Sequence, residues 1–325
     1  MKAMVCTKYG PPEVLQLQEL EKPTPKKHEV LIKICATAVT ASDCIIRGFK
    51  VSRKYRLPMG LVIGFTKPRQ PILGLVLAGE VEAVGKDVRR FEKGNQVYAM
   101  NIIRFGMYAE YTCLPENSVL AVKPSNATYE EATAVPFGGL LALHFLRKGH
   151  IQSGQHVLIY GASGAVGTAA VQLARYFGAT VTGVCSTTNV ALVQSLGAEQ
   201  VIDYTKEDST NSSERYDLIF DAVGKAKSSS LKLQCKTALT PNGTYLSVDD
   251  GRPAVRTEGL LFLKELMEAG KLKAVIDRRY PLEQLAEAHR YVETGHKKGN
   301  VVIIVAKNSS PWQGVGVDSG EPSFL

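Results

Sequence analysis

The chain has 325 residues, 45 % hydrophobic and 22 % charged, with 29 Gly, 15 Pro and a formal net charge of +8. That mixture excludes collagen, coiled coil and low-complexity disorder, and a chain of this length predicts about two domains. No apolar run approaches the ~20 residues that cross a bilayer, and Met1-Lys2-Ala3-Met4-Val5 reads as a strand without a signal-peptide cleavage site. The expectation is therefore a cytoplasmic protein with no membrane partner.

The first 125 residues alternate short β-rich runs with Gly and Pro: Val30 to Ile34, Ile72 to Gly74, Gly79 to Gly85, Asn95 to Ala99 and Ala109 to Thr112. Helical periodicity is nearly absent, which predicts a small β-barrel-like domain. Within it Arg47, Lys50, Arg53, Lys54, Arg56, Lys67 and Arg69 crowd among Gly48, Gly60, Gly64, Pro58 and Pro68. Such a run reads as a solvated loop. The functional alternative is attraction of an anionic ligand such as a dinucleotide phosphate, ahead of nucleic acid or acidic lipid.

Thr128 with Glu131 is a capping box, and the helix it opens is expected to be interrupted at Pro136 before Leu140 to Leu146. From residue 155 strands and helices alternate. Strands are predicted at His156 to Tyr160, Thr180 to Cys185, Asp217 to Asp221 and Thr244 to Val248; helices at Ala169 to Phe177 and Val190 to Leu196, the latter closed by Gly197. This alternation predicts an α/β domain with a doubly wound parallel sheet. A helix from Leu260 to Ala269, a strand from Ala274 to Asp277, a helix from Leu282 to Glu293 and a strand from Val301 to Val305 follow; these late strands have no clear place in the α/β series, and a return to the first domain is open to them. The tail from Asn308 is expected to be mobile. The six cysteines, at 6, 35, 44, 113, 185 and 235, form no close pair, so neither a disulfide framework nor a cysteine-rich zinc knot is expected.

Gly161-Ala162-Ser163-Gly164-Ala165-Val166-Gly167 lies between a strand and a helix. Small residues there let the backbone turn tightly and approach a pyrophosphate, which the N–H groups and positive end of the next helix then hold. An acidic residue about 20 positions on ordinarily binds the ribose diol of NAD, yet Gly154 to Ala198 contains no Asp or Glu. The second strand ends instead in Cys185-Ser186-Thr187-Thr188-Asn189, whose hydroxyls suit a 2′-phosphate. NADP(H) is the expected cofactor, with Lys206 or a basic residue from elsewhere supplying the neutralising charge, since Arg175 is the only Lys or Arg in the stretch.

Met1-Lys2-Ala3, Gly10 to Leu15, Glu29 to Lys33, Asp43 to Gly48, Leu73-Gly74 with Ala78 to Val81, and Gly161 to Gly167 together resemble the medium-chain dehydrogenase/reductase superfamily. Within it the chain is similar to the zinc-free quinone oxidoreductase branch that includes zeta-crystallin. The resemblance implies a GroES-like β-barrel catalytic domain over 1–125 and 258–306, an inserted Rossmann domain over 126–257, and a flexible tail over 307–325, with the active site in the cleft between domains. Where relatives with zinc place their ligands, this chain has Val39-Thr40, Leu75-Val76 and Phe137, so no metal is expected. Without a metal, hydride transfer suits an acceptor that is already activated, a quinone or an α,β-unsaturated carbonyl.

The resemblance places Thr40 and Asp43 in the catalytic turn. Thr40 is read as a hydrogen-bond donor to substrate or ribose, or as a turn residue; Asp43 as pairing with a backbone group or Arg47. Ile45, Val51 and Leu141 replace more polar family residues, which makes the pocket apolar. Cofactor contacts are assigned to Gly161, Ser163, Gly164, Ala165, Val166, Gly167, Ser186, Thr187, Tyr204, Val223 and Val248, with Tyr204 at the adenine end. His144, His289 and His296 receive no role. The expected partner is a small hydrophobic carbonyl or quinone, nucleic acid is not expected, and a homodimer would have a reduced interface because Val248 runs almost directly to Leu260. Two alternatives remain open: an NADPH-binding protein with a structural, regulatory or nucleic-acid role, and an alcohol dehydrogenase-like activity.

Overall fold

A computed structural model describes residues 1–306 except 52, 103, 207–213, 225–229 and 252; the tail predicted to be mobile lies outside the described residues. Residues 156–247 carry a five-stranded, all-parallel sheet. Its strands are β8 (His156–Tyr160), β9 (Thr180–Cys185), β10 (Gln200–Asp203), β11 (Tyr216–Asp221) and β12 (Leu239–Ser247), in the order β10-β9-β8-β11-β12. β8, β9 and β11 are apolar and buried along nearly their whole length, as strands covered on both faces must be. The strand order reverses between β8 and β11, and that switch opens a crevice at the carboxyl ends of the strands. The residues that follow β8 there are Gly161 to Gly164.

The second large sheet runs β13-β14-β3-β4-β5-β7, with β6 paired to β3. It contains β3 (Glu29–Val39), β4 (Val76–Val84), β5 (Gln96–Met100), β6 (Tyr111–Pro115), β7 (Leu120–Val122), β13 (Ile276–Pro281) and β14 (Asn300–Ile304). β14 lies antiparallel on β3, with Val301 opposite Val39 and Ile304 opposite Ala36, so the late strands do return to the first sheet. β1 (Lys2–Cys6) and β2 (Leu15–Glu19) form a separate antiparallel pair. Ile72 to Gly74, expected as a strand, makes only a single bridge from Ile72 to Val5.

Helices depart from expectation in four places, one of them α6 (Ser230–Thr237), which has no counterpart among the expected helices. The basic run is not a loop: it holds α1 (Ala41–Gly48) and α2 (Arg53–Ile63). Gly48, Pro58, Gly60 and Gly64 punctuate the segment enough to mask both helices in the sequence, and Arg47 is fully buried. α3 (Tyr129–Lys148) runs unbroken through Pro136. Thr128 and Glu131 cap it reciprocally as predicted, and its burial from Tyr129 to Leu146 outweighs the one hydrogen bond that Pro136 cannot donate. α4 (Ala165–Tyr176) begins four residues earlier than expected, directly on Gly164. α5 (Val190–Ser195), α6 (Ser230–Thr237), α7 (Thr257–Glu268) and α8 (Leu285–Glu293) complete the set. No helix among the described residues is long and apolar enough to cross a membrane. All six cysteines are free thiols, and burial pushes each above its usual range.

Candidate functional site

Gly161 opens the loop at φ +79°, in the left-handed region, and a Cβ there would stand 2.3 Å from Val223 Cγ2. A Cβ on Gly167 would stand 2.1 Å from the Gly161 carbonyl oxygen, so only glycine lets α4 close on the end of β8. At Gly164 the nearest atom to an added Cβ is 3.6 Å away, which leaves the backbone open on that side. Gly164 is the N-cap of α4 and offers no side-chain acceptor; the N–H groups of Ala165, Val166 and Gly167 have no acceptor within the helix. The result is a donor-lined cradle at the positive end of a helix dipole, a fit for a pyrophosphate.

The end of β9 is joined to this cradle by one amide. Asn189 Nδ2 donates to Ser163 Oγ at 3.2 Å and to Ser186 Oγ at 3.1 Å. Each hydroxyl accepts from the amide, which leaves the Ser163 O–H to donate outward, while Ser186 Oγ also lies 3.4 Å from Thr188 Oγ1. Thr187 is differently placed. Its hydroxyl donates to Asp203 Oδ2 at 2.6 Å and meets Thr205 Oγ1 at 2.6 Å, so it is not a free phosphate donor as its position in the sequence suggested. Thr205 contributes its own N–H and O–H to Asp203 Oδ1. These hydrogen bonds hold the Asp203 carboxyl below its usual range.

Asp203 lies beyond Ala198 in the sequence, and it reaches the β9 end because β10 pairs with β9 in the register Asp203 to Cys185. Lys206 stands 3.9 Å from Asp203 and brings a cation to this edge, whereas Arg175 is committed to Glu199 at 2.7 Å. Tyr204 follows β10 and is half exposed, with its N–H on the Cys185 carbonyl.

Val223 and Val248 lie just past β11 and β12, and Asp221 ties them together. Its Oδ1 accepts from the Val223 and Gly224 N–H groups at 3.1 Å each, while Oδ2 accepts from Tyr245 at 2.9 Å and pairs with Lys232 at 2.5 Å. Val248 donates its N–H to the Asp221 carbonyl. Sequence reasoning gave Asp221 no role; its signal is its place as the last residue of an apolar strand. From the other sheet, the turn before β14 closes over the loop, with Gly299 N–H on the Ser163 carbonyl at 2.8 Å and a Gly164–Gly299 bridge. Lys297, two residues earlier, is half-buried, and desolvation lowers its amine to about 8 despite Asp277 and Cys44 nearby.

Thr40 and Asp43 form the N-terminal capping box of α1. Thr40 donates N–H and O–H to Asp43 Oδ2, at 2.8 and 2.6 Å, and accepts from the Asp43 N–H. Asp43 does not pair with Arg47, which binds the Gly10 carbonyl and Glu293 at 2.7 Å each. Both capping residues are buried, and burial pushes the Asp43 carboxyl up to about 6 against the lowering effect of Thr40. His289 is not partnerless, as assumed: its Nδ1 lies 3.4 Å from Cys44 Sγ and its ring meets Tyr108 edge-on. Burial and the Arg47 charge push it down to about 3. His144 Nδ1 accepts the Ala254 N–H at 3.4 Å.

The donor set does not fit a catalytic metal. Leu75, Val76 and Phe137 are buried hydrocarbon, and among the described residues no three His, Cys, Asp or Glu side chains converge.

Residues 26–124 match the family described as an alcohol dehydrogenase GroES-like domain, and residues 165–270 and 249–303 match two families described as zinc-binding dehydrogenase. The chain is 33 % identical over 322 residues to the 2-methylene-furan-3-one reductase of Solanum lycopersicum, covering 93 % of this chain and 79 % of that protein. It is 32 % identical over 323 residues to the chloroplastic NADPH-dependent alkenal/one oxidoreductase of Arabidopsis thaliana, with the same coverage. Among solved structures, the quinone oxidoreductase from Coxiella burnetii matches with a TM-score of 0.83 and 29 % identity, over 94 % of this chain and 99 % of that one.

Proposed function

The chain belongs to the quinone oxidoreductase-like branch of the medium-chain dehydrogenase/reductase superfamily, and from that premise we propose that it transfers hydride from NADPH to a quinone or an α,β-unsaturated carbonyl without a metal. The observation that carries the proposal is the Ser163–Asn189–Ser186 chain, which joins the glycine cradle to a hydroxyl-bearing edge with Lys206 beside it. The names of the tomato and Arabidopsis relatives, a furanone reductase and an NADPH-dependent alkenal/one oxidoreductase, support the same chemistry.

In this reading Ser163, Ala165, Val166 and Gly167 hold the pyrophosphate through backbone N–H groups, while Gly161 and Gly164, whose own N–H groups go to the Val184 and Gly161 carbonyls, shape the turn that lets it approach. Ser186 holds the 2′-phosphate, and Thr187 keeps Asp203 hydrogen-bonded and away from it. Tyr204 offers its ring to the adenine, while Val223 and Val248, fixed through Asp221, give an apolar wall at the crevice. Thr40 and Asp43 act as positioning residues that set the entry angle of α1. Bound NADPH supplies the hydride. A conjugated acceptor spreads the resulting negative charge over its own π-system, so the chain has no need of a Lewis acid, and water can return the proton. A homodimer belongs to the same proposal.

Steady-state NADPH oxidation with naphthoquinone and a series of 2-alkenals tests it. Saturable turnover on at least one class is expected. Tight, saturable NADPH binding with no turnover on either class overturns the proposal.

A further inference from the structure

Between Asp43 and Glu80 the sequence has seven Lys or Arg and no acid, and in the fold this stretch carries α2. At 100° per residue, Leu57, Leu61, Pro58 and Val62 share one outward arc, while Met59 and Ile63 turn into the protein. Leu57 is 65 % exposed, Leu61 and Val62 57 % each, and Phe65, just past the helix, 50 %. A soluble helix normally shows polar residues on that face. The segment is anchored where it turns inward. Tyr9 Oη donates to the Ile63 and Gly64 carbonyls at 2.9 and 3.0 Å, and Arg69 N–H returns to the Ile63 carbonyl.

Arg53 stands one turn before Leu57, Lys67 and Arg69 follow the helix with Arg69 lining one cavity with Val62, and all three are exposed and take part in no salt bridge among the described residues; Arg56 lies on the opposite side of the helix with its guanidinium over the Phe49 ring. Exposed apolar residues flanked by cations that make no salt bridge suit one surface above others: the boundary between acyl chains and anionic headgroups. We propose that α2 and Phe65 dock this protein on an anionic lipid bilayer, lying in the headgroup plane as a surface contact and not as a span. A second copy of the chain would set like charges against each other. A nucleic acid would satisfy the cations and leave Leu57, Leu61, Val62 and Phe65 in water.

Sedimentation of the full chain with vesicles tests the proposal, comparing phosphatidylcholine alone with three parts phosphatidylcholine to one part phosphatidylglycerol. Binding is expected to the anionic vesicles and to be weak on the neutral ones. Two variants separate the contributions. Leu57→Ser with Leu61→Ser removes exposed hydrocarbon and should abolish sedimentation while NADPH turnover in solution is unchanged. Arg53→Gln with Arg69→Gln should weaken binding about 25-fold, at about fivefold per cation near such a surface. The charge pair decides the matter should the leucine pair lower the melting temperature. No sedimentation of the wild type, equal binding of the wild type and the charge pair, or retention of a single-stranded oligonucleotide in place of vesicles overturns the proposal. So does a wild-type dimer that Leu57→Ser dissociates.

Discussion

Asp43 and His289 both lie against Tyr108, and burial moves them in opposite directions. Asp43 rises from 3.8 to about 6, so the native state keeps a proton the unfolded chain has released. Its contribution to stability is complete below pH ~4 and is lost as pH rises through about 6. His289 falls from 6.5 to about 3, so the unfolded chain takes up a proton the native state refuses. Its contribution is complete above pH ~6.5 and is lost as pH falls toward 3. At about 1.4 kcal/mol per unit these amount to ~3 and ~5 kcal/mol, and between pH ~4 and ~6 the slopes cancel. Denaturant unfolding of the wild type should therefore change little across that window. Asp43→Asn should lose stability as pH is lowered through it and His289→Gln should gain. A wild-type slope equal to that of Asp43→Asn would contradict the pairing. A second residue-scale expectation concerns Asn189. Asn189→Leu removes the amide that orients Ser163 and Ser186, and should raise the KM for NADPH about tenfold, a loss of ~1.4 kcal/mol, with little change for NADH. The glycines and Ser186 are legible in sequence because their spacing after a strand is local. Asp203 and His289 are not, because their partners arrive through strand register and across more than 200 residues of chain.

At the scale of elements, α3 matters to the site although none of its residues is assigned to the cofactor. It packs against α4 so closely that a Cβ on Gly138 would stand 2.2 Å from the Ala165 carbonyl oxygen, at the residue that starts α4. Gly138→Ala must push the N-terminus of α4 away from α3. The expected outcome is a lower melting temperature and NADPH binding weakened at least about tenfold, read by titrating cofactor fluorescence. Unchanged affinity with a lowered melting temperature would show that α4 moves without disturbing the cradle. The capping box of α3 is visible in sequence as Thr128 and Glu131; its passage through Pro136 is not, because the tertiary burial that sustains it has no local signal. The same limit hides α2, whose apolar residues face outward and blur the helical period.

Across the whole molecule, the two sheets meet where Gly299 bridges Gly164, so the cradle is completed by residues more than 130 positions downstream. The alternation of strands and helices is legible as a change of periodicity in the sequence; the order of the strands, the pairing of β14 with β3 and the contact that closes the loop are not. Part of the net +8 of the chain lies in the exposed cations of the α2 segment, whereas Arg47 of the same basic run is buried and neutralised by Glu293. The chemistry proposed for the crevice is tested most directly by following the hydride itself. NADPH carrying deuterium at the transferred position is incubated with the protein and a 2-alkenal, and the product is read by mass spectrometry and NMR. The metal-free reduction of a conjugated acceptor predicts a saturated aldehyde with deuterium on its β-carbon. Deuterium on the carbonyl carbon of an allylic alcohol would contradict it.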